Sequence, residues 1–331
     1  MAINRETNPQ HAEGAEERVE QSAGWFYAFW KFSRPHTVIG TTLSVLGLYL
    51  IAYAIAVGNS SDTLLPNFYS LLPALGTWVA CLCGNVYIVG LNQLEDVAID
   101  RINKPHLPLV SGEFSRRTGV LIVAIAFCLA LLLAWLMGPF LLGMVGISLA
   151  IGTAYSLPPI RLKRFPFWAA LCIFSVRGAI VNLGLFLHFS WVLQRSQVIP
   201  PVVWALTLFI LVFTLAIAIF KDVPDMEGDR QYHITTLTIQ LGQQRVFNLA
   251  RWVLTVCYLG IALAGIYLLP SVNPVFLVIT HLLALGVMWW RSLSVDLQDK
   301  AEIARFYQFI WKLFFLEYLI FPVACLLATN A

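Results

Sequence analysis

FYSLLPALGTWVACLCGNVYIVGLNQLEDVAIDRINKP, Phe68 to Pro105, begins as an apolar run and ends as a polar one. The first part, Phe68–Leu91, is long enough to cross a hydrocarbon core. The second part, Asn92 to Pro105, carries Asn92, Asp96 and Asp100 at intervals of four. At 3.6 residues per turn each step of four drifts by only about 40°, so a helix places the three on one face, spread over roughly 12 Å. A lipid-facing helix gains nothing from three oxygen-bearing side chains on one stripe at its mouth. A hard cation and a diphosphate do.

Working outward, the chain of 331 residues is 59% hydrophobic and 12% charged. A soluble domain carries about twice that charge, so the composition is that of an integral membrane protein. The net charge of +3 is too small to imply nucleic acid, and the basic residues are scattered. Apolar runs of spanning length recur nine times, at Thr37–Val57, Phe68–Leu91, Thr118–Met137, Pro139–Leu157, Phe167–Phe189, Val202–Phe220, Val246–Leu269, Asn273–Trp290 and Phe306–Leu327. The fold class is therefore all-α, a polytopic membrane bundle of nine transmembrane helices. Gly138-Pro139 leaves room only for a tight hairpin between spans three and four. Residues 1–24 are polar and acidic, with no h-region before a cleavage site and too many glutamates for a transit peptide. They read as a disordered cytoplasmic tail, ahead of one transmembrane domain over 25–331. Six cysteines all fall in apolar runs and read as small buried hydrophobes rather than disulfides or zinc ligands.

Lysine and arginine set the topology. The tail (Arg5, Arg18, Lys31, Arg34) and the loops after spans two (Arg101, Lys104, Arg116, Arg117), four (Arg161, Lys163, Arg164), six (Lys221, Arg230, Arg245) and eight (Arg291, Lys300, Arg305) hold seventeen of the 21. The opposite loops hold only Arg195, and Arg177, Arg251 and Lys312 lie within spans. The positive-inside rule then makes the N-terminus cytoplasmic and the C-terminus external.

That ladder brings a second acidic stretch to the same face as the first. KDVPDMEGDR, Lys221 to Arg230, follows span six and carries Asp225 and Asp229 four apart, with Asp222 upstream. Both stretches contain D-x-x-x-D-R, a hint of an internal pseudo-repeat. Four carboxylates gathered at one surface repel one another unless cations intervene. Magnesium takes hard oxygen ligands and bridges one or two carboxylates to substrate phosphates. A diphosphate ester brings roughly three further negative charges, by the chemistry that gives a phosphoryl group nearly two. Arg101, Lys104, Arg161, Lys163, Lys221 and Arg230, all on this face, complete the balance as donors. Such a site stabilises a departing diphosphate. If the ester is allylic, a carbocation remains, which a water-excluding bundle protects until an acceptor meets it.

NxxxDxxxD after span two, DxxxD after span six and nine spans resemble the intramembrane aromatic prenyltransferases typified by UbiA. The longer strings FWKFSRPHTVIGTTLSV, VYIVGLNQLEDVAIDRINKPHLPLVSGEFS, GTAYSLPPIRLKRFP, VRGAIVNLGLF, FKDVPDMEGDRQYHITTLTIQLG and FYQFIWKLFFLEYL resemble the homogentisate phytyltransferases of cyanobacteria. The resemblance covers nearly all of the chain after the tail. It implies the UbiA-type fold and magnesium-dependent transfer of a phytyl group from phytyl diphosphate to homogentisate. Diphosphate and carbon dioxide are released, giving 2-methyl-6-phytylbenzoquinol for tocopherol synthesis, in a cyanobacterial thylakoid or plasma membrane. It implies further that Asn92, Asp96, Asp100, Asp225 and Asp229 hold Mg²⁺ and diphosphate, and that Tyr155 lies beside them with either Arg161 or Lys163.

The remaining polar residues divide. Arg177, within span five, is costly at membrane depth and by default functional; it meets an acceptor carboxylate or the diphosphate, or else makes a purely structural pairing. Arg34 is a headgroup anchor or an acceptor-pocket cation. Lys312 and Glu317 read as structural, Asp222 as a ligand or a helix cap, and neither His36 nor His106 takes a role. Three other acceptors, 1,4-dihydroxy-2-naphthoate, 4-hydroxybenzoate and chlorophyllide, stay open within the same chemistry. Outside it stands a transporter of divalent cations or organic anions with the acidic stripes as a gate. Against that, transporter sites sit near mid-membrane rather than at span ends.

Overall fold

The computed structural model describes residues 24–58, 68–221, 223 and 237–328. Among these there is no strand, and nine helices are long and apolar enough to cross a membrane. The protein is an integral membrane protein. In chain order the elements are α1 (24–32), α2 (Pro35–Gly58), α3 (Phe68–Glu95), α4 (Val97–Asn103), α5 (Pro108–Ser111), α6 (Arg116–Met137) and α7 (Pro139–Ser156). There follow α8 (Pro166–Ile173), a π-helical turn (Phe174–Ile180), α9 (Val181–Val192), α10 (Pro201–Lys221), α11 (Leu237–Leu241), α12 (Gln243–Tyr267), α13 (Pro274–Leu293) and α14 (Lys300–Ala328). All nine expected spans are present, the fifth built from α8, the π turn and α9.

Local chemistry explains most helix ends. Ser115 caps α6, its hydroxyl accepting from the Thr118 amide at 3.1 Å, and Asn273 caps α13 through the Phe276 amide at 3.0 Å. Gly138, at φ +130°, makes the expected hairpin between α6 and α7, with Pro139 opening α7. α3 runs on past the apolar run through Asn92–Glu95, which needs no lipid because it sits at the mouth of the bundle.

One expectation fails here. Asn92, Asp96 and Asp100 do not lie on one uninterrupted helix. The helix breaks at Asp96 (φ −111°, ψ 14°), which stands between α3 and α4 and caps neither with its side chain. Its carboxylate is drawn instead to cations of the loop after α7. The i→i−4 bonds through the motif nonetheless persist, from Asp96 N to Asn92 O at 3.1 Å and from Asp100 N to Asp96 O at 2.8 Å. The break therefore bends the acidic face without dispersing it.

α2 packs on α14, α3 and α9, while α10, α12, α13 and α14 enclose an aromatic core of Phe209, Phe213, Tyr258, Phe314 and Phe321. Within that second group His281 of α13 and Glu317 of α14 are fully buried, with Nε2 3.1 Å from Oε2, and His281 Nδ1 lies 2.7 Å from the Leu277 carbonyl. Glu317 thus pairs with His281 inside the bundle, whereas Lys312 faces outward. All six cysteines are free; Cys172, Cys257 and Cys325 are buried, but Cys128 is exposed on the outer side of α6.

Among the described glycines, the closest approach to a neighbouring helix's backbone is at Gly47, where an added Cβ would lie 2.8 Å from the Tyr318 carbonyl oxygen. Backbone cannot swing aside as a side chain can, so α2 would have to move off α14. Gly47→Ala is expected to destabilise the protein by about 1–3 kcal/mol, the usual cost of overpacking. The check is the midpoint of thermal unfolding in detergent; an unchanged midpoint would mean that α2 and α14 are not packed at this distance.

Candidate functional site

The site assembles where three segments distant in sequence meet at one end of the bundle. The α1–α2 linker brings Arg34, the α3–α4 break brings Asn92, Asp96 and Asp100, and the loop between α7 and α8 brings Arg161 and Lys163. Asp96 is the hub. Its Oδ2 accepts from the Asn92 amide at 3.0 Å. Its Oδ1 accepts from Arg161 Nη2 at 3.1 Å and lies 2.7 Å from Lys163 Nζ. Arg161 donates also to the Glu95 carbonyl at 3.3 Å, across the break. Arg34 donates to Asn92 Oδ1 at 3.4 Å. Contact between these loops shows that the tail end and the loops after spans two and four share one face, as the basic ladder requires.

Two of these cations are held in strained backbone. Arg34 (φ 53°) and Arg161 (φ 38°) occupy the left-handed region that residues with a Cβ rarely adopt. Such strain persists only where surrounding contacts over-determine it, and it gathers at functional sites. At Arg161 the fixing contacts are the Asp96 carboxylate and the Glu95 carbonyl.

Asp100 is 4% exposed, and its Oδ2 is buried with no hydrogen-bond partner among the described residues. Burial pushes its carboxyl above the usual carboxylate range; the Lys104 ammonium, 3.8 Å from Oδ1, pulls the other way. A buried oxygen without a donor is costly unless something else meets it. With Asp96, whose charge two side-chain cations already balance, it makes a hard oxygen donor set that suits Mg²⁺. Among the described residues no group of three His, Cys, Asp or Glu side chains is gathered closely enough to hold a metal unaided.

Of the remaining expected residues, Tyr155, in the last turn of α7, lies within electrostatic reach of Asp96 and Arg34. Arg101 and Lys104 are exposed, and Arg101 makes no hydrogen bond or ion pair with Asp96 or Asp100. Asp222, Asp225, Asp229 and Arg230 lie outside the described residues, as does the side chain of Lys221. Arg177 stands on the π turn, its guanidinium 5.1 Å from the Trp311 ring and 5.8 Å from that of Phe314. His36 packs against the same Trp311 at 5.3 Å. Behind them a cavity of about 190 Å³ runs between α2, α3, α7 and the π turn, lined by Thr41, Val45, Asn85, Ser148, Leu149 and Arg177 among others. Asn85 donates to Thr37 Oγ1 at 3.0 Å. Sequence reading gave no role to Asn85 or Ser148; polar residues recurring on the inner faces of spans were the available signal.

Residues 25–313 match the UbiA prenyltransferase family. The chain belongs to the UbiA prenyltransferase family. It is 58% identical over 297 residues to a homogentisate phytyltransferase of Synechocystis sp., covering 90% of this chain and 95% of that one. It is 43% identical over 300 residues to homogentisate phytyltransferase 1, chloroplastic, of Arabidopsis thaliana, covering 89% and 74%. Its fold is similar to that of a UbiA homolog from Archaeoglobus fulgidus bound to GPP and Mg²⁺, with TM-score 0.55, 18% identity and coverage of 89% and 99%. Membership of the UbiA family sets aside the transporter.

Proposed function

We infer that the protein is a homogentisate phytyltransferase, transferring the prenyl group of phytyl diphosphate to homogentisate with loss of diphosphate and carbon dioxide. The observation that carries the reading is the convergence of Arg161 and Lys163 on one oxygen of Asp96, at 3.1 and 2.7 Å, at the mouth of the bundle. The relative from Synechocystis bears that activity as its name, and the Archaeoglobus neighbour holds a prenyl diphosphate with Mg²⁺.

Asn92, Asp96 and Asp100, with Asp225 and Asp229 from the second stretch, are the proposed ligands of Mg²⁺, which when bound shields the diphosphate and stabilises its departure. Arg161 and Lys163 turn from Asp96 to the diphosphate oxygens, and Arg101, Lys104, Lys221 and Arg230 add positive charge around them. Tyr155 lines the same mouth. The apolar bundle holds the prenyl tail and keeps water from the allylic cation. In balance, a C–O bond of the ester breaks and a C–C bond to the ring forms. The ring loses a proton, and the side-chain carbon gains one as carbon dioxide leaves.

The acidic and basic residues that assemble the mouth are read as cytoplasmic, with the N-terminus on that side and residues 1–24 as a tail outside the catalytic domain, in a thylakoid or plasma membrane. The test is product identification. Purified protein given labelled homogentisate, phytyl diphosphate and Mg²⁺ is expected to form 2-methyl-6-phytylbenzoquinol, to stop with EDTA and to resume when Mg²⁺ is restored. Turnover of another aromatic acceptor in place of homogentisate would refute the assignment.

A further inference from the structure

The π turn Phe174–Ile180 has no cause in its sequence; it contains neither proline nor an insertion that hydropathy reveals. Structure supplies the cause. Val181 N bonds to Val176 O, the i→i−5 pattern of a π-helix. The fully buried Asn182 donates to the Gly178 carbonyl at 2.8 Å. Tyr318 of α14, also buried, donates to Asn182 Oδ1 at 2.9 Å. α10 closes on the far side, where a Cβ at Gly178 would lie 2.3 Å from Leu211 Cδ2. Turns of this kind are rare and gather at functional sites. Here three elements hold in place one that presents an arginine to a cavity.

Among the described residues no carboxylate pairs with Arg177 and no side chain or carbonyl accepts from it; its neighbours are the faces of Trp311 and Phe314. Ring faces stabilise a guanidinium, but they leave its donor edge unused. A guanidinium at membrane depth with an empty fork calls for an anion from outside. The cavity limits what that anion is attached to. An apolar cavity of about 150 Å³ takes one benzene ring, so the 190 Å³ here suits one substituted ring rather than a second lipid chain. Ser148 Oγ donates to the Met144 carbonyl at 2.8 Å and so turns lone pairs to the cavity, which suits a phenolic O–H.

We propose that Arg177, aimed by the locked π turn, receives the carboxylate of the aromatic acceptor and makes the enzyme selective for acceptors that carry one. The proposal rests on the prenyltransferase reading above. Arg177 touches substrate; Asn182 and Tyr318 are positioning residues that act through it.

The test uses the full-length protein in lipid nanodiscs. Wild type, Arg177→Gln and Arg177→Lys are compared for the KM of homogentisate, the KM of phytyl diphosphate, and inhibition by the alcohol analogue in which CH₂OH replaces the carboxylate. Arg177→Gln is expected to raise the homogentisate KM about tenfold to a hundredfold, the range for a lost charge-assisted pair. It should bind acid and alcohol alike, whereas wild type prefers the acid. The KM of phytyl diphosphate should hold, which also reports an intact fold. Arg177→Lys, keeping the charge without the fork, should retain part of the preference. Tyr318→Phe should raise the homogentisate KM by about fivefold, as for one neutral hydrogen bond, with the phytyl diphosphate KM unmoved. A phytyl diphosphate KM that rises in step, or an acid preference that survives Arg177→Gln, overturns the proposal. A wild type that prenylates no homogentisate brings down the functional reading first, and this proposal with it.

Discussion

Asp96→Asn is expected to lower kcat by about a thousandfold while leaving the protein folded in the membrane, the scale at which loss of a preorganised electrostatic group is felt. The substitution keeps the shape and exchanges one oxygen for an amide. Folding should tolerate it, because Asp96 sits at a helix break at the end of the bundle and the isosteric amide keeps an oxygen for Arg161. Chemistry should not. The Oδ1 atom that Arg161 and Lys163 share is the point around which three segments are arranged. An amide there removes a unit of negative charge from the proposed metal ligands and leaves two cations without their partner. The measurement is product formed per unit of protein that elutes as a single species in detergent. A variant within threefold of wild type would mean that Asp96 orders the loops and does nothing more.

Lys163→Met is the second large expected effect. Lys163 Nζ lies 2.7 Å from Asp96 Oδ1 without the angle of a good hydrogen bond, so it forms an ion pair there and remains available to a diphosphate. Its loss should reduce kcat/KM for phytyl diphosphate by about a hundredfold, near the upper range for a hydrogen bond to a charged group. The homogentisate KM should scarcely move. Arg161→Met should act in the same direction. Because the two cations meet at one oxygen, the double variant should lose less than the product of the single losses. Kinetics of the four proteins form the cycle. Strict multiplication would place Arg161 and Lys163 on separate atoms, and a change confined to homogentisate would remove Lys163 from the diphosphate.

The spans were legible because a bilayer tolerates little else than long apolar helices, and each expected run finds its helix. The ends were less so. α14 begins at Lys300, ahead of the expected Phe306, because a polar helical turn at the surface carries no hydropathy signal. The break at Asp96 and the π turn at Phe174–Ile180 left no trace either, since both are set by contacts from other helices. The acidic spacing singled out Asp96 and Asp100, yet could not show that one is a half-buried, ion-paired hub and the other a buried carboxylate. Left-handed arginines at positions 34 and 161 run against local preference; only the carboxylate and carbonyl that hold Arg161 explain its case. The choice between Arg161 and Lys163 was open in the sequence, which could not show that both meet Asp96.

Everything rests on two acidic stretches sharing one metal-bridged diphosphate. Mn²⁺ in place of Mg²⁺, in crystals grown with an unreactive prenyl thiodiphosphate, places the metal directly by its anomalous scattering. The expected map has Mn²⁺ bridging the diphosphate between Asp96 and Asp100 on one side and Asp225 and Asp229 on the other. Metal touching only one of the two stretches, or diphosphate bound with no metal beside it, would contradict that arrangement.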